Sequence, residues 1–269
     1  MDRLKHGCTA PVKRSLRIEQ RRNAVTYTTD LIIVNFNTKA YLAACVESIK
    51  EHTLPPDYRL TIVDNASTDG SIEYIRALPG ITAVFNSKNT GYAAACNLGI
   101  KKGNGRFIFL LNSDLVMTAG WLPPLLKTLA DPEVAVVGPR LVNPGGFLVG
   151  VGVVGADEHP VLRGWAEPDE PHRYAEYTDC ISVCGACLGI KRELLPELGY
   201  FDENYFHYFE ETDYCYNARL HGYKVVYCPE SKVIHRYNGS CRNQRRLQEY
   251  FKKSEAYFRQ KWRLPPTDL

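Results

Sequence analysis

The chain has 269 residues, of which 45% are hydrophobic and 23% are charged. These proportions allow one large domain with a substantial core and exclude disorder over most of the length. The net charge of +3 is too small to indicate nucleic-acid binding, so we expect no nucleic-acid partner.

The N-terminal segment is basic and lacks a clear apolar face. We predict that residues 1–28 form a flexible leader. No apolar stretch typical of a signal peptide is present, and the longest apolar run, at 147–156, is too short to cross a bilayer. We therefore expect a cytoplasmic protein. The nine cysteines are an odd number, scattered among apolar neighbours, and are expected to be reduced.

Apolar strands alternate with amphipathic helices through the first half of the chain. The strands are predicted at 30–36, 58–63, 81–85, 106–111 and 134–137. The helices between them are predicted at 39–52, from 67 or 69 to 78, at 92–102 and at 120–130, with Thr38 as a cap of the first. This order predicts an α/β fold with a mostly parallel, doubly wound sheet and helices on both faces. Ligands bind such sheets at the carboxyl ends of the strands.

The second half has a different pattern. Residues 138–183 are rich in glycine, proline and tyrosine, and short helices are predicted at 191–197 and 210–221, before a strand at 224–227. We predict a domain over 29–240 with a nucleotide-binding half, 29–137, and an acceptor and catalytic half, 138–240. A basic, aromatic-rich C-terminal helix is predicted within 241–269. It either packs on the catalytic domain, which we favour, or contacts a membrane surface.

Two strand ends carry acidic side chains suited to a donor nucleotide. Asp64 ends the second strand, where a carboxylate accepts the N3–H of uracil or thymine or a ribose hydroxyl. Nearby Asp69 is expected to be a helix cap. Asn112 and Asp114 end the fourth strand, and in extended backbone such residues point the same way, towards one divalent cation. The alternative is an Asx-turn that ends the strand.

An acidic cluster, Glu210, Glu211 and Asp213, follows an aromatic run at 205–209. Like charges raise one another's pKa, which suits a proton acceptor near neutral pH, and a helix N-terminus would stabilise the charges in part. The alternative is an ordinary helix start, with Asp213 paired to Arg219. Further along, His235 ends an apolar segment. A histidine at such a position is more often a core residue than a ligand, but here it could also complete the shell of a metal ion.

The chain from about 30 to 240 resembles family 2 glycosyltransferases with the GT-A fold, most closely the bacterial rhamnosyltransferase type. The matching segments occur in the family's order: 33–37 (IVNFN), 63–69 (VDNASTD), 89–99 (NTGYAAACNLG), 111–114 (LNSD), 185–188 (GACL), 201–203 (FDE), 209–213 (FEETD) and 233–235 (VIH).

The resemblance implies roles for individual residues. Glu211 stands at the catalytic-base position, with Glu210 and Asp213 beside it. Asp114 is the principal carboxylate of the D-x-D motif, in which Asn112 replaces the first Asp, and His235 is the late metal ligand. The implied donor-binding residues lie in the first four matching segments: Val34, Asn35, Asn37, Asp64, Asn65, Asn89, Gly91, Asn97, Asn112 and Ser113. The implied cofactor is Mg²⁺ or Mn²⁺.

The resulting hypothesis is an inverting transfer of rhamnose or a similar sugar from a dTDP- or UDP-sugar. The acceptor is a hydroxyl on a saccharide or lipid-linked intermediate of cell-surface polysaccharide or glycolipid synthesis, at the inner face of the plasma membrane. A nucleotidyltransferase is one alternative, but the loop after the first strand lacks the glycine that it would need. A non-catalytic sugar-nucleotide-binding protein is the other.

Overall fold

A computed structural model describes residues 28–54, 58–236 and 244–265. The strands are β1 (Thr29–Asn35), β2 (Tyr58–Asp64), β3 (Thr82–Phe85), β4 (Phe107–Asn112), β5 (Leu115–Met117), β6 (Val134–Val142), β7 (Leu148–Gly150), β8 (Val153–Gly155), β9 (Pro160–Leu162), β10 (Thr178–Asp179), β11 (Cys187–Lys191) and β12 (Lys224–His235). The helices are α1 (Lys39–His52), α2 (Ser71–Ala77), α3 (Tyr92–Lys102), α4 (Leu122–Leu129), α5 (Leu195–Leu198), α6 (Glu210–Leu220) and α7 (Gln244–Trp262).

The main sheet has the strand order β10-β12-β6-β11-β4-β1-β2-β3. Strands β1 to β4 pair in parallel, and so do β6 and β12. Strand β11 lies antiparallel between β4 and β6, which leaves those two strands pointing in the same direction. The carboxyl ends of the long parallel strands therefore meet along one edge of the sheet, as the alternation of strands and helices predicted.

Helices cover both faces of this sheet, so the central strands are buried on both sides. One apolar cluster joins the sheet to α1 and α4, through residues such as Leu42 and Leu125. A second cluster joins the opposite face to α3, α5 and α6, through residues such as Cys96 and Tyr214. Burial on both faces explains why these strands appear in the sequence as continuous apolar runs. The doubly wound α/β prediction is confirmed.

Several boundaries differ from the prediction because long-range pairing extends the strands. β6 continues to Val142 because β12 pairs along it, and β12 runs to His235 rather than ending at 227. His235 therefore lies in the same strand as Lys224 and pairs with Leu115 of β5.

The helix-capping predictions are wrong in part. Thr38 makes no side-chain cap of α1; its hydroxyl donates to Asn35 Oδ1 over 2.7 Å. The predicted start of the second helix at 67 or 69 is too early, because α2 begins at Ser71. Asp69 instead receives hydrogen bonds from two helix starts: the Lys39 backbone N–H at 2.8 Å and the Ser71 N–H at 3.1 Å.

Helix α7 packs on the rest of the chain, in agreement with the favoured alternative. Phe258 is 4% exposed and lies against Phe209, with ring centroids 5.5 Å apart. The predicted leader at 1–28 falls outside the described residues except for Thr28, and the predicted boundary at 240 also lies outside them. Within the described part of the chain, no helix combines the length and hydrophobicity that a bilayer crossing needs. The cysteines described there are free thiols.

Candidate functional site

A cavity of about 390 Å³ opens at the carboxyl ends of β1 and β4. Its walls come from these strand ends, the start of α3, the loop before α6 and the start of α7. The lining residues are Val34, Phe36, Asn65, Asn89, Gly91, Tyr92, Asn112, Ser113, Asp114, Phe206, His207, Arg246, Leu247 and Tyr250. Six of the predicted donor-binding residues are in this list: Val34, Asn65, Asn89, Gly91, Asn112 and Ser113.

Asp114 and His235 lie side by side at this cavity. Asp114 Oδ1 is 3.2 Å from His235 Nε2, and the two side chains are 2% and 7% exposed. Asp114 Oδ1 is buried but makes no hydrogen bond within the protein. A buried carboxylate oxygen without a hydrogen bond is costly unless it binds another group, and a carboxylate next to an imidazole is a suitable pair of ligands for Mn²⁺.

The predicted geometry of residues 112–114 needs correction. β4 ends at Asn112, and Ser113 and Asp114 form a turn before β5. The rule that alternate residues of an extended strand share a face therefore does not apply here. The turn, rather than an extended strand, brings all three residues to the cavity wall. Because β5 pairs with the end of β12, the same turn brings Asp114 next to His235.

Glu210, which is buried, and Glu211, which is half-buried, form an acidic pair at the start of α6. Burial and the charge of Glu211 raise the pKa of Glu210 well above its usual range. Burial also raises the pKa of Glu211, but backbone N–H groups, including that of Gly185, limit this rise. The Oε2 atoms of both residues are buried and make no hydrogen bond. Because protonation of one glutamate relieves the repulsion between the two carboxylates, the stronger rise in the pKa of Glu210 favours the proton on Glu210.

The loop at 184–186 joins the acidic pair to the Asp114 turn. Ala186 O accepts the Asn112 backbone N–H over 2.9 Å, and a Cβ added to Gly185 would lie 3.1 Å from the Glu211 side chain. Burial raises the pKa of the Cys184 thiol to about 12, and the charges of Glu211, Asp114 and Glu210 add to this rise. The thiol therefore lies within electrostatic reach of both acidic groups.

The glutamates themselves are not among the residues that line the described cavity. Tyr92 connects the two regions: it lines the cavity, its OH donates to Gly185 O over 3.3 Å, and the charges of both glutamates contribute to the raised pKa of its phenol, after burial and Cys96. The acidic pair therefore lies within electrostatic reach of Tyr92, a residue of the cavity wall.

Asp64 and Asn35 are buried and do not line the described cavity. Both are 0% exposed. Asp64 Oδ2 accepts the Asn35 amide over 2.8 Å, and Asp64 Oδ1 accepts the Ser67 N–H over 2.8 Å. With both carboxylate oxygens bonded internally, Asp64 orders the loop after β2, and Asn65 is the residue of that loop on the cavity wall.

Asn37 and Asn97 also have structural partners instead of cavity positions. Asn37 Oδ1 accepts the Thr68 backbone N–H over 2.7 Å, which joins the loops after β1 and β2. Asn97 is 1% exposed; its amide donates to Phe201 O over 2.8 Å and its carbonyl accepts the Phe201 N–H over 3.1 Å. The bonds of Asn97 fix the chain that leads towards the acidic pair, and neither Asn37 nor Asn97 lines the described cavity.

Asp213 is likewise separate from the predicted catalytic group. It is bonded to α7 by Lys261 and Trp262, over 2.8 and 2.7 Å. The alternative pairing of Asp213 with Arg219 is wrong, because Arg219 Nη1 contacts Asp157 Oδ1 over 2.7 Å.

The start of α3 requires glycine at position 91. Gly91 has φ +89°, and a Cβ there would lie 2.6 Å from Phe206 O, the atom that accepts the Tyr92 N–H. We expect Gly91→Ala to lower the free energy of unfolding by more than about 3 kcal/mol, since positive φ alone costs about 1–3 kcal/mol and the close contact adds to it. Urea denaturation measures this change.

Gly80→Ala is the matched control for this substitution. Gly80 has φ +73° but nothing within 4 Å of its added Cβ, so this variant carries the conformational cost alone. Equal losses of unfolding free energy in the two variants would show that the contact between position 91 and the loop before α6 does not matter for stability.

Seven cavity residues were not predicted as site residues: Phe36, Tyr92, Phe206, His207, Arg246, Leu247 and Tyr250. Two of them, Phe206 and His207, belong to the aromatic run at 205–209. Burial lowers the pKa of His207 to about 4, so its imidazole is neutral at pH 7. Arg246 is then the only positively charged residue among the described lining residues. Its basic, aromatic neighbourhood in the sequence gave a signal, but the sequence could not show which side of α7 faces the site.

The sequence model of glycosyl transferase family 2 matches residues 30–199. The O-antigen biosynthesis protein RfbC of Myxococcus xanthus is 28% identical over 222 residues, covering 78% of this chain and 17% of RfbC. An N-acetylglucosaminyl-diphospho-decaprenol L-rhamnosyltransferase of Mycobacterium tuberculosis is 24% identical over 231 residues, covering 76% of this chain and 75% of that enzyme. The chain spans only 26% and 17% of the first two curated relatives that it matches.

A similar fold is found in a solved mannosyltransferase from Pyrobaculum calidifontis, PcManGT, in complex with GDP-Man and Mn²⁺. The TM-score is 0.60 at 20% sequence identity, over 80% of this chain and 59% of that chain. This likeness confirms the GT-A fold. The family match favours glycosyl transfer over the nucleotidyltransferase alternative.

Proposed function

Because the chain belongs to glycosyl transferase family 2, we propose that it transfers a sugar from a nucleoside-diphosphate donor to an acceptor hydroxyl with inversion at the anomeric carbon. The observation that carries this proposal is the joint placement of Asp114, which lies on the cavity wall beside His235, and of the glutamate pair near Tyr92, which lines the same cavity. A donor in the cavity would lie between a cation site and a base.

In this proposal Glu211 is the general base. Its carboxylate takes the proton of the acceptor hydroxyl as the oxygen attacks the anomeric carbon from the face opposite the diphosphate. Glu210 holds the proton shared by the pair, so a single negative charge faces the acceptor. One displacement, with no covalent sugar intermediate, inverts the anomeric centre, and its transition state is oxocarbenium-like as in glycoside hydrolysis.

Asp114 and His235 fit the role of metal ligands. The buried Asp114 oxygen without a hydrogen bond and the adjacent imidazole nitrogen supply an oxygen and a nitrogen ligand. No group of three or more acidic, histidine or cysteine side chains suited to a metal occurs in the described ranges, so the donor's phosphates would complete the coordination. There, Asp114 and His235 would hold a Mn²⁺ or Mg²⁺ ion, whose positive charge would offset the charge that develops on the departing diphosphate. Asn112 contributes at most a neutral amide.

The donor that we propose is dTDP-rhamnose or a UDP-sugar. The rhamnosyltransferase named above supports the sugar, and its diphospho-decaprenol acceptor supports a lipid-linked acceptor for this chain. Two features of the cavity agree with a nucleotide-sugar: aromatic rings at Phe36 and Tyr250 to stack on flat groups, and the cation Arg246 to face phosphate. We also propose that the acceptor is met at the inner face of the plasma membrane.

A thermal-shift screen of nucleotide-sugars, each with and without Mn²⁺, tests the proposed function. A donor at 100-fold excess over its Kd should stabilise the protein by about 2.7 kcal/mol, and only when the metal is present. Transfer or slow hydrolysis of the same donor should follow. If no nucleotide-sugar stabilises the protein in either condition, the proposal fails; stabilisation without any turnover would instead indicate a non-catalytic binding protein.

A further inference from the structure

The first turn of α6 is held from outside by the C-terminal helix. Asp213 is in this turn, three residues after Glu210, and is 6% exposed. Its Oδ1 accepts Trp262 Nε1 over 2.7 Å and the Tyr205 hydroxyl over 3.0 Å, while its Oδ2 accepts Lys261 Nζ over 2.8 Å. These donors all come from side chains outside α6, and two of them come from the end of α7.

Lys261 forms a second contact that fixes its position. Its Nζ also donates to Asp202 Oδ2 over 2.8 Å. Desolvation lowers the pKa of Lys261, but the hydrogen bonds to Asp202 and Asp213 outweigh it and the pKa is raised. The ammonium is therefore charged at neutral pH and joins the chain before α6 to its first turn.

The backbone just before the acidic pair is strained, and α7 packs against it. Tyr208 and Phe209 have φ of 68° and 70°, a region that bulky residues rarely adopt. The ring of Phe251 lies 5.7 Å from that of Tyr208 and 5.2 Å from that of Phe209, and Phe258 lies 5.5 Å from Phe209. Such a conformation persists only where its surroundings fix it, and here α7 supplies those surroundings.

From these contacts, and resting on the proposed function, we infer that Asp213 is a positioning residue. Through Lys261 and Trp262 it sets the orientation of the first turn of α6, and thereby the direction of the Glu211 carboxylate. The cavity-lining Arg246 lies 15 residues earlier in α7, which is about 22 Å along a helix. The end of α7 therefore orients the proposed base, Glu211, without contributing to the wall of the donor cavity.

Steady-state kinetics of Lys261→Met and Trp262→Phe test this inference. We expect kcat to fall about 10- to 100-fold, because misplacement of a catalytic group by about 1 Å has effects of that size. The KM for the donor should stay within about twofold of wild type. Lys261→Arg keeps the charge and should restore most of kcat. Hydrogen exchange of the amides at 210–213 should be faster in Lys261→Met and Trp262→Phe.

Gln260→Met is the matched control, because Gln260 is exposed beside Lys261 on the same helix. Its kcat and the hydrogen exchange of its amides at 210–213 should both match those of wild type. Should either test variant melt more than about 10 °C below wild type, Asp213→Asn, which keeps the shape and removes the charge, takes its place.

Wild-type kcat and wild-type exchange in both test variants would overturn the inference. A raised donor KM with unchanged kcat would also overturn it, since it would mean that α7 acts through the cavity. Failure of the proposed function is recognised separately, because the wild type itself would then transfer no sugar. In that case the exchange rates at 210–213 still decide whether α7 orders this turn.

Discussion

Glu211→Gln is expected to reduce kcat by about 10²- to 10⁴-fold, the usual contribution of a general base, while nucleotide affinity stays within a few fold. The amide keeps the shape of the side chain but accepts no proton. Because the ionised carboxylate is buried and its pKa is raised, it destabilises the fold at neutral pH. The melting temperature of Glu211→Gln at pH 7 should therefore equal or exceed that of wild type. Turnover of the donor and thermal melting of the same preparation measure both effects.

Glu210→Gln is the matched control and decides which glutamate is the base. Burial and the charge of Glu211 favour the protonated form of Glu210, which a neutral amide resembles, so kcat should fall less than about tenfold. In this variant and in wild type, activity should be lost as the pH falls through the raised pKa of Glu211, because the base must be ionised. A larger loss in Glu210→Gln than in Glu211→Gln would reverse the assignment.

Asp114→Asn is expected to lower turnover by at least about 100-fold, because stabilisation of the leaving diphosphate by a metal is worth several kcal/mol. The carboxylate oxygen that faces His235 would be replaced by an amide, which binds divalent cations more weakly. The Mn²⁺-dependent stabilisation by the donor should also disappear from the thermal shift.

Asn112→Asp is the opposite change at the same site. It adds a carboxylate to the cavity wall close to Asp114 and should lower the Mn²⁺ concentration needed for half-maximal activity. If Asp114→Asn retained full metal dependence, the metal site would have to lie elsewhere, and the proposed roles of Asp114 and His235 would be lost.

Asp64 shows what sequence reasoning about single residues leaves open. The position at a strand end was correctly identified, since β2 ends at Asp64. Whether a carboxylate at such an end faces a ligand or the protein depends on partners distant in sequence. Asn35 lies 29 residues away, and its side-chain amide donates a hydrogen bond to one carboxylate oxygen of Asp64. Periodicity within β2 carries no information about that partner.

The sequence by itself determined the order of strands and helices, the doubly wound sheet and the end of β4 near Asn112, because these follow from local apolar periodicity and parallel connections. Only the tertiary structure decided that β12 brings His235 to Asp114, that Asp213 binds α7 and that Arg246 faces the cavity. The physical reason is that these contacts join segments far apart in the chain, and their choice depends on packing and burial, which are properties of the folded molecule.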